Sequence, residues 1–136
     1  MTAVASKLRF FVDETSLGVG KALAAARKDV IHVGHPLIPD VPFGAPDIEW
    51  IPAVAARGLV LLSRDRHMRT NPAEREQLRA AGLRTFWVAG KKDLNSWDTL
   101  VRLVHRWGDI ERIVLERGPG PWFISINEHS VSELTV

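Results

Sequence analysis

The sequence predicts an α/β fold, with a mainly parallel sheet held between helical layers. Two observations carry that prediction. Short apolar runs at 8–12, 29–33, 59–62, 83–88 and 121–126 alternate with segments of helical length. The run at 59–62, LVLL, is apolar without interruption, as in a strand covered on both faces.

Each element follows in order. Residues 1–7 read as a loose tail, and 8–136 as a single domain. LRFFV at 8–12 is rich in β-favouring side chains. Thr15 is placed to cap a helix reaching about Lys28. Leu17, Leu23, Ala24 and Ala26 supply its apolar side, and Gly18 and Gly20 weaken it. DVIHV at 29–33 reads as a second buried strand. In GHPLIPDVPFGAP, prolines at 36, 39, 42 and 46 forbid helix and stiffen a loop long enough to shape a surface or a site.

A helix is predicted over 47–57, with Trp50, Ile51, Val54 and Ala55 on one side, a kink or restart at Pro52 and a stop at Gly58. After LVLL, the stretch SRDRHMRTN reads as loop. Asn71 as cap, Pro72 at the first position and Glu74 at the third open a helix that Gly82 closes. LRTFWV at 83–88 is a further strand. A helix over 95–107 carries Trp97, Leu100, Val101, Val104 and Trp107 and ends at Gly108, and DIERIVLER adds a turn or two. PWFISI at 121–126 reads as an edge strand with which VSELTV can pair.

The bulk numbers bound the function. A chain of 136 residues, 46% apolar and 25% charged, can bury a core without staples. It has no cysteine, which excludes disulfides and thiolate metal sites and suits a reducing cytosol. No apolar run approaches the ~20 residues of a membrane span. The first residues lack the apolar core of a signal peptide. A cytoplasmic protein with no membrane partner is expected. A net charge of +2 permits nucleic acid as a partner without demanding it.

Sites in open α/β sheets form beyond the carboxyl ends of the strands. The first strand ends at Asp13 and Glu14, and the third is followed, past Ser63, by Asp65. Asp47 opens the preceding helix, with Glu49 beside it. If the first and third strands are neighbours, Asp13 and Asp65 share a rim that Asp47 can reach. Converging carboxylates raise one another's pKa, and a cation relieves them. Oxygen-only ligands suit magnesium or manganese, which can activate water against a phosphodiester. The plainer reading stays open here: Asp47 as an N-cap, and Glu14 and Glu49 as solvated charges.

Arg64, Arg66 and Arg69 flank Asp65, and Arg75 lies one turn into the next helix. They can pair with phosphates, or line an ordinary solvated loop. Lys91 and Lys92 extend the patch on the same terms. His67, beside Asp65, is a candidate substrate contact. His32 reads as core and His105 as structural, and no histidine pair has a zinc spacing. The tryptophans at 50, 87, 97, 107 and 122 read as core and interface, with Trp122 the expected exception.

FFVDETSLG, GAPDIEWIPAVAARGLVLLSRD and NPAEREQLRAAG, in that order over about residues 8–90, resemble the PIN-like nuclease family. The closer resemblance is to short PIN-like proteins that include some VapC-type toxins. It implies a three-layer α/β/α sandwich and a magnesium- or manganese-dependent endoribonuclease, the toxin of a type II toxin–antitoxin pair. Carried over, Asp13, Asp47 and Asp65 are the catalytic metal ligands. Ser16 is the small hydroxyl residue that holds the first turn, and Ser63 is the partner hydroxyl of a Ser/Thr-x-Asp motif. Glu14 has no firm counterpart. Many relatives carry a fourth acid soon after the last aspartate. Here Arg66, His67, Met68 and Arg69 follow, so that acid is missing or is replaced by Glu74. The resemblance also implies an RNA substrate, a small cognate antitoxin protein and a homodimer. Two alternatives stand beside it: a receiver-like signalling domain phosphorylated at Asp65, with Lys91 as its lysine, and a PIN-like interaction module that does not cut.

Overall fold

A computed structural model describes residues 8–90 and 94–134. The expected tail at 1–7, Lys91, Lys92 and the last two residues of VSELTV lie outside the described residues. The strands are β1 (Phe10–Val12), β2 (Val30–His32), β3 (Val60–Ser63), β4 (Arg84–Val88), β5 (Trp122–Ile126) and β6 (Val131–Glu133). The helices are α1 (Leu17–Ala26), α2 (Asp47–Ala56), α3 (Arg66–Thr70), α4 (Pro72–Ala80), α5 (Ser96–His105) and α6 (Trp107–Arg117). The sheet order is β2-β1-β3-β4-β5-β6, parallel throughout except for the β5–β6 pair.

Strand residues alternate between two cores. Phe10, Val12, Val60, Leu62 and Phe86 pack with Val19 and Leu23 of α1, Leu103 of α5 and Ile110 and Ile113 of α6. Phe11, Ile31, Leu61, Trp87 and Phe123 pack with Trp50, Ile51 and Val54 of α2 and Leu78 of α4. Helices therefore cover both sheet faces, which is why the strands are continuously apolar and why the sandwich has three layers.

At Gly20, α1 packs closely on the sheet. A Cβ built on Gly20 would lie 2.9 Å from His32 Cβ and 3.0 Å from Val12 Cβ. The glycine that weakens the helix locally thus permits its packing. Gly20→Ala should destabilise the protein by about 1–3 kcal/mol through overpacking, despite its better helix propensity. A shift of the urea midpoint to lower concentration would show it, and an unchanged or higher midpoint would contradict the close approach.

Several sequence expectations need correction. Thr15 does not cap a helix: Glu14–Ser16 form a 3-10 turn, Ser16 precedes α1, and the Thr15 hydroxyl bonds Asp13 instead. The stretch after β3 is not all loop, because α3 forms where Asp65 Oδ1 accepts the His67 and Met68 N–H groups and Met68 is buried. Helix α2 runs unbroken through Pro52, which is exposed and shares its helix face with exposed Ile48. Gly108 lies inside α6 rather than ending a helix, and α6 is a full 11-residue element. Strand β5 is interior and buried, Trp122 with it, because β6 takes the edge. Trp97, not Trp122, is the exposed tryptophan, His105 is exposed and His32 is half-buried.

Candidate active site

Strands β1 and β3 are parallel neighbours with Val12 opposite Leu62, so the chain leaves both strands at the same rim. Asp13, the first residue past β1, meets Ser63, the last residue of β3. Asp13 is only 3% exposed. Its Oδ2 accepts from Ser63 Oγ at 2.6 Å and its Oδ1 from Thr15 Oγ1 at 2.8 Å. Ser63 Oγ also accepts the Asp65 N–H at 3.0 Å. One buried hydroxyl therefore couples the two aspartates. Burial pushes the Asp13 carboxyl up to about 7. The two hydroxyl bonds oppose that rise, and the charges of Asp65 and Asp47 add to it.

Asp47 is the first residue of α2, and Pro46 holds the cap position in its place. Asp47 Oδ1 accepts from the indole N–H of Trp50 at 2.7 Å. Trp50 is buried, with its ring 5.5 Å from that of Phe11. The core residue one turn along thus fixes the carboxylate, and a tryptophan at i+3 from an aspartate is the sequence signal for it. Glu74 stands close by on α4. Burial raises its pKa, the neighbouring Asp47 carboxylate adds to the rise, and His67 opposes it. His67 Nδ1 lies 3.1 Å from Glu74 Oε2. Glu74 therefore reaches the rim from the next helix, at the place where the sequence lacks an acid directly after Asp65.

Other expected site residues sit apart. Glu14 is exposed, and its Oε1 accepts the Gly44 N–H at 2.7 Å, pinning the proline-rich loop. Glu49 is exposed, and its carboxylate has no hydrogen-bond or ion-pair partner among the described residues. Ser16 is buried, and its Oγ has no hydrogen-bond partner. Arg64 donates to Thr15 O, Leu94 O and Thr99 Oγ1 at 3.2, 2.8 and 3.1 Å, bracing the turn after β1 against the start of α5. Arg66 is exposed and reaches Gly90 O at 3.3 Å. It lines a cleft of about 370 Å³ together with Asp65, His67 and Thr15. Arg69 and Arg75 are half-buried without ion-pair partners among the described residues.

As they stand, no three carboxylate or imidazole groups among the described residues converge closely enough to hold a metal ion together. The rim instead holds two linked sets, Asp13–Ser63–Asp65 and Asp47–Glu74–His67. The donor set still fits magnesium, which keeps several waters and needs only one or two direct carboxylates. Each Asp13 oxygen carries a single hydrogen bond and keeps a lone pair, and Ser16 Oγ is a buried polar atom without a partner.

Fold and rim together define a three-layer α/β/α domain with its acids beyond the carboxyl ends of adjacent parallel strands. The family model described as "PIN like domain" matches residues 8–90. The chain belongs to that family, and the matched span contains Asp13, Asp47, Asp65 and Glu74. No curated protein and no solved structure matches the chain.

Proposed function

We propose that the protein is a metal-dependent endoribonuclease and, in keeping with its likeness to VapC-type proteins, the toxin of a type II toxin–antitoxin pair. One observation carries the reading. A buried aspartate, oriented by two hydroxyls, ends β1 within the electrostatic reach of Asp65 and Asp47. Membership of a family whose proteins are generally nucleases supports it. Asp13, Asp47 and Asp65 would hold magnesium or manganese, directly or through water. When bound there, such an ion would supply Lewis-acid activation of water and charge neutralisation beside a phosphate.

The chain's own residues do the rest. Thr15 and Ser63 fix the plane of the Asp13 carboxylate. Trp50 fixes Asp47, and the α3 cap fixes Asp65. His67 lines the cleft and is paired with Glu74, which holds its ring beside Asp65. Arg66 offers its guanidinium to a phosphate beside Asp65, while Arg64 braces the turn. The RNA substrate, the small antitoxin, a homodimer and a cytoplasmic location belong to the same reading. No described helix is long and apolar enough to cross a membrane. The receiver-like alternative gains no support, because the PIN-like match spans the acids.

The test is cleavage. Purified protein should cut RNA with magnesium or manganese and stop with chelator. Intact RNA across varied substrates under both ions would overturn the proposal. The two arginines should separate cleanly. Arg66→Ala should weaken RNA binding and lower the salt slope by about 1. Arg64→Ala should instead lower stability by about 1–3 kcal/mol, through the polar groups it leaves unpartnered. Binding titrations over a salt series and urea melts read the two effects.

A further inference from the structure

The proline-rich loop between β2 and α2 holds one aromatic ring in the open. Phe43 is 56% exposed. Single exposed apolar residues are ordinary, but this ring is held in place. It lies on Gly34, where an added Cβ would stand 2.5 Å from Phe43 Cε2. Gly34 has φ of 76°, and its N–H donates to Val41 O at 2.8 Å. Pro36, Pro39 and Pro42 stiffen the stretch between these contacts. One residue beyond the ring, the Gly44 N–H donates to Glu14 Oε1 at 2.7 Å. Glu14 directly follows Asp13. Ala45 shares the walls of a small cavity with Asp13, Glu14 and Trp50, and the chain then enters α2 at Asp47.

The segment that follows Phe43 is therefore tied to the acidic rim twice. One tie is the Glu14 hydrogen bond, and the other is the covalent path to Asp47. One side of the ring rests on glycine backbone, and the rest faces outward. The rim to which this segment is tied is acidic, with Asp13, Glu14 and Asp47, so an uncharged group suits the ring itself. A nucleobase offers a flat π-face without charge, and stacking on an aromatic side chain tolerates any base.

We propose that Phe43 is a stacking platform for an unpaired base adjacent to the phosphate at the acidic rim. The inference rests on the nuclease reading and extends it. A glycine is needed at 34 because any side chain there would dislodge the ring, and Glu14 serves the platform rather than the metal. That assigns a role to the acid beside Asp13.

Binding of a short fluorescein-labelled single-stranded RNA is measured by anisotropy in magnesium, on protein carrying Asp13→Asn so that the RNA stays intact. Adding Phe43→Ala should weaken binding roughly 5- to 100-fold, whereas Phe43→Trp should preserve it. An oligomer lacking bases and a duplex RNA should bind equally well with and without the Phe43→Ala substitution. With Asp13 intact, Phe43→Ala should raise KM for single-stranded RNA. Thermal melts confirm that the variants fold, since the ring is largely exposed. Equal affinity of Phe43→Ala for single-stranded RNA, or an equal loss on the abasic oligomer, overturns the proposal. A changed oligomeric state with RNA affinity intact also overturns it and marks the ring as a protein anchor. If the wild type cuts RNA and Phe43→Ala leaves KM unchanged, the platform alone falls. If the wild type neither binds nor cuts RNA, the nuclease reading falls with it.

Discussion

Asp13→Asn is expected to abolish metal-dependent RNA cleavage and, above pH 7, to raise the melting temperature of the metal-free protein. Both effects come from one buried carboxylate. Its pKa rises from 3.8 to about 7 on folding, first through burial, with the Asp65 and Asp47 charges adding to the rise. The folded state therefore holds a proton that the unfolded chain releases between those values. For a group raised in this way, the stabilising contribution is complete below about pH 4. It is lost as pH climbs toward 7, at ~1.4 kcal/mol per pH unit within that window. Asparagine has nearly the same shape, keeps polar contacts to Thr15 and Ser63, and does not titrate. The difference in melting temperature between wild type and variant should thus grow in the variant's favour from pH 4 to 7 and level off above. Magnesium should reverse the order, because an ion that binds the native carboxylate stabilises only the wild type. A pH-independent difference, or cleavage surviving the substitution, would contradict the assignment of Asp13.

The acids were legible for a topological reason. Parallel strands deliver their carboxyl ends to one rim, so an acid ending one strand and an acid just past its neighbour must lie near each other. The sheet was legible because Leu61 and Leu62 each face a core, on opposite sides, leaving no polar alternation to obscure the strand. Elements held by long-range contacts were harder to read. Helix α3 depends on an aspartate cap and on burial of Met68, neither visible as periodicity over five residues. Thr15 has the chemistry of a helix cap, but a buried carboxylate two residues back competes for its hydroxyl. Strand β6 has mostly exposed side chains, so β5 read as the edge. Glu74 carried a capping-box signal, yet its side chain points the other way, toward Asp47 and His67. The role of Gly34 cannot be read locally either, since the ring that demands it is nine residues away.

Ser63→Ala should reveal whether the rim works as a unit. The serine is 1% exposed, and its single hydroxyl donates to Asp13 and accepts from the Asp65 N–H. Alanine leaves both groups short of a partner, which costs about 1–3 kcal/mol of stability. The chemical consequence should be larger. The Ser63 bond lowers the Asp13 pKa, so its loss lets burial raise that pKa further. More of the carboxyl is then protonated at neutral pH, and a proton competes directly with a cation for the same oxygens. Cleavage should fall by about 10- to 100-fold, the usual cost of losing a partner that orients a metal ligand. The acid limb of the pH–rate profile should also move upward, so that part of the lost activity returns at higher pH. Ser63→Thr keeps the hydroxyl and should restore the pH profile, even if its extra methyl lowers stability. A stability effect acting alone would reduce activity equally at every pH. An unshifted profile for Ser63→Ala would therefore show that Ser63 merely packs the end of β3, and that Asp13 and Asp65 act independently.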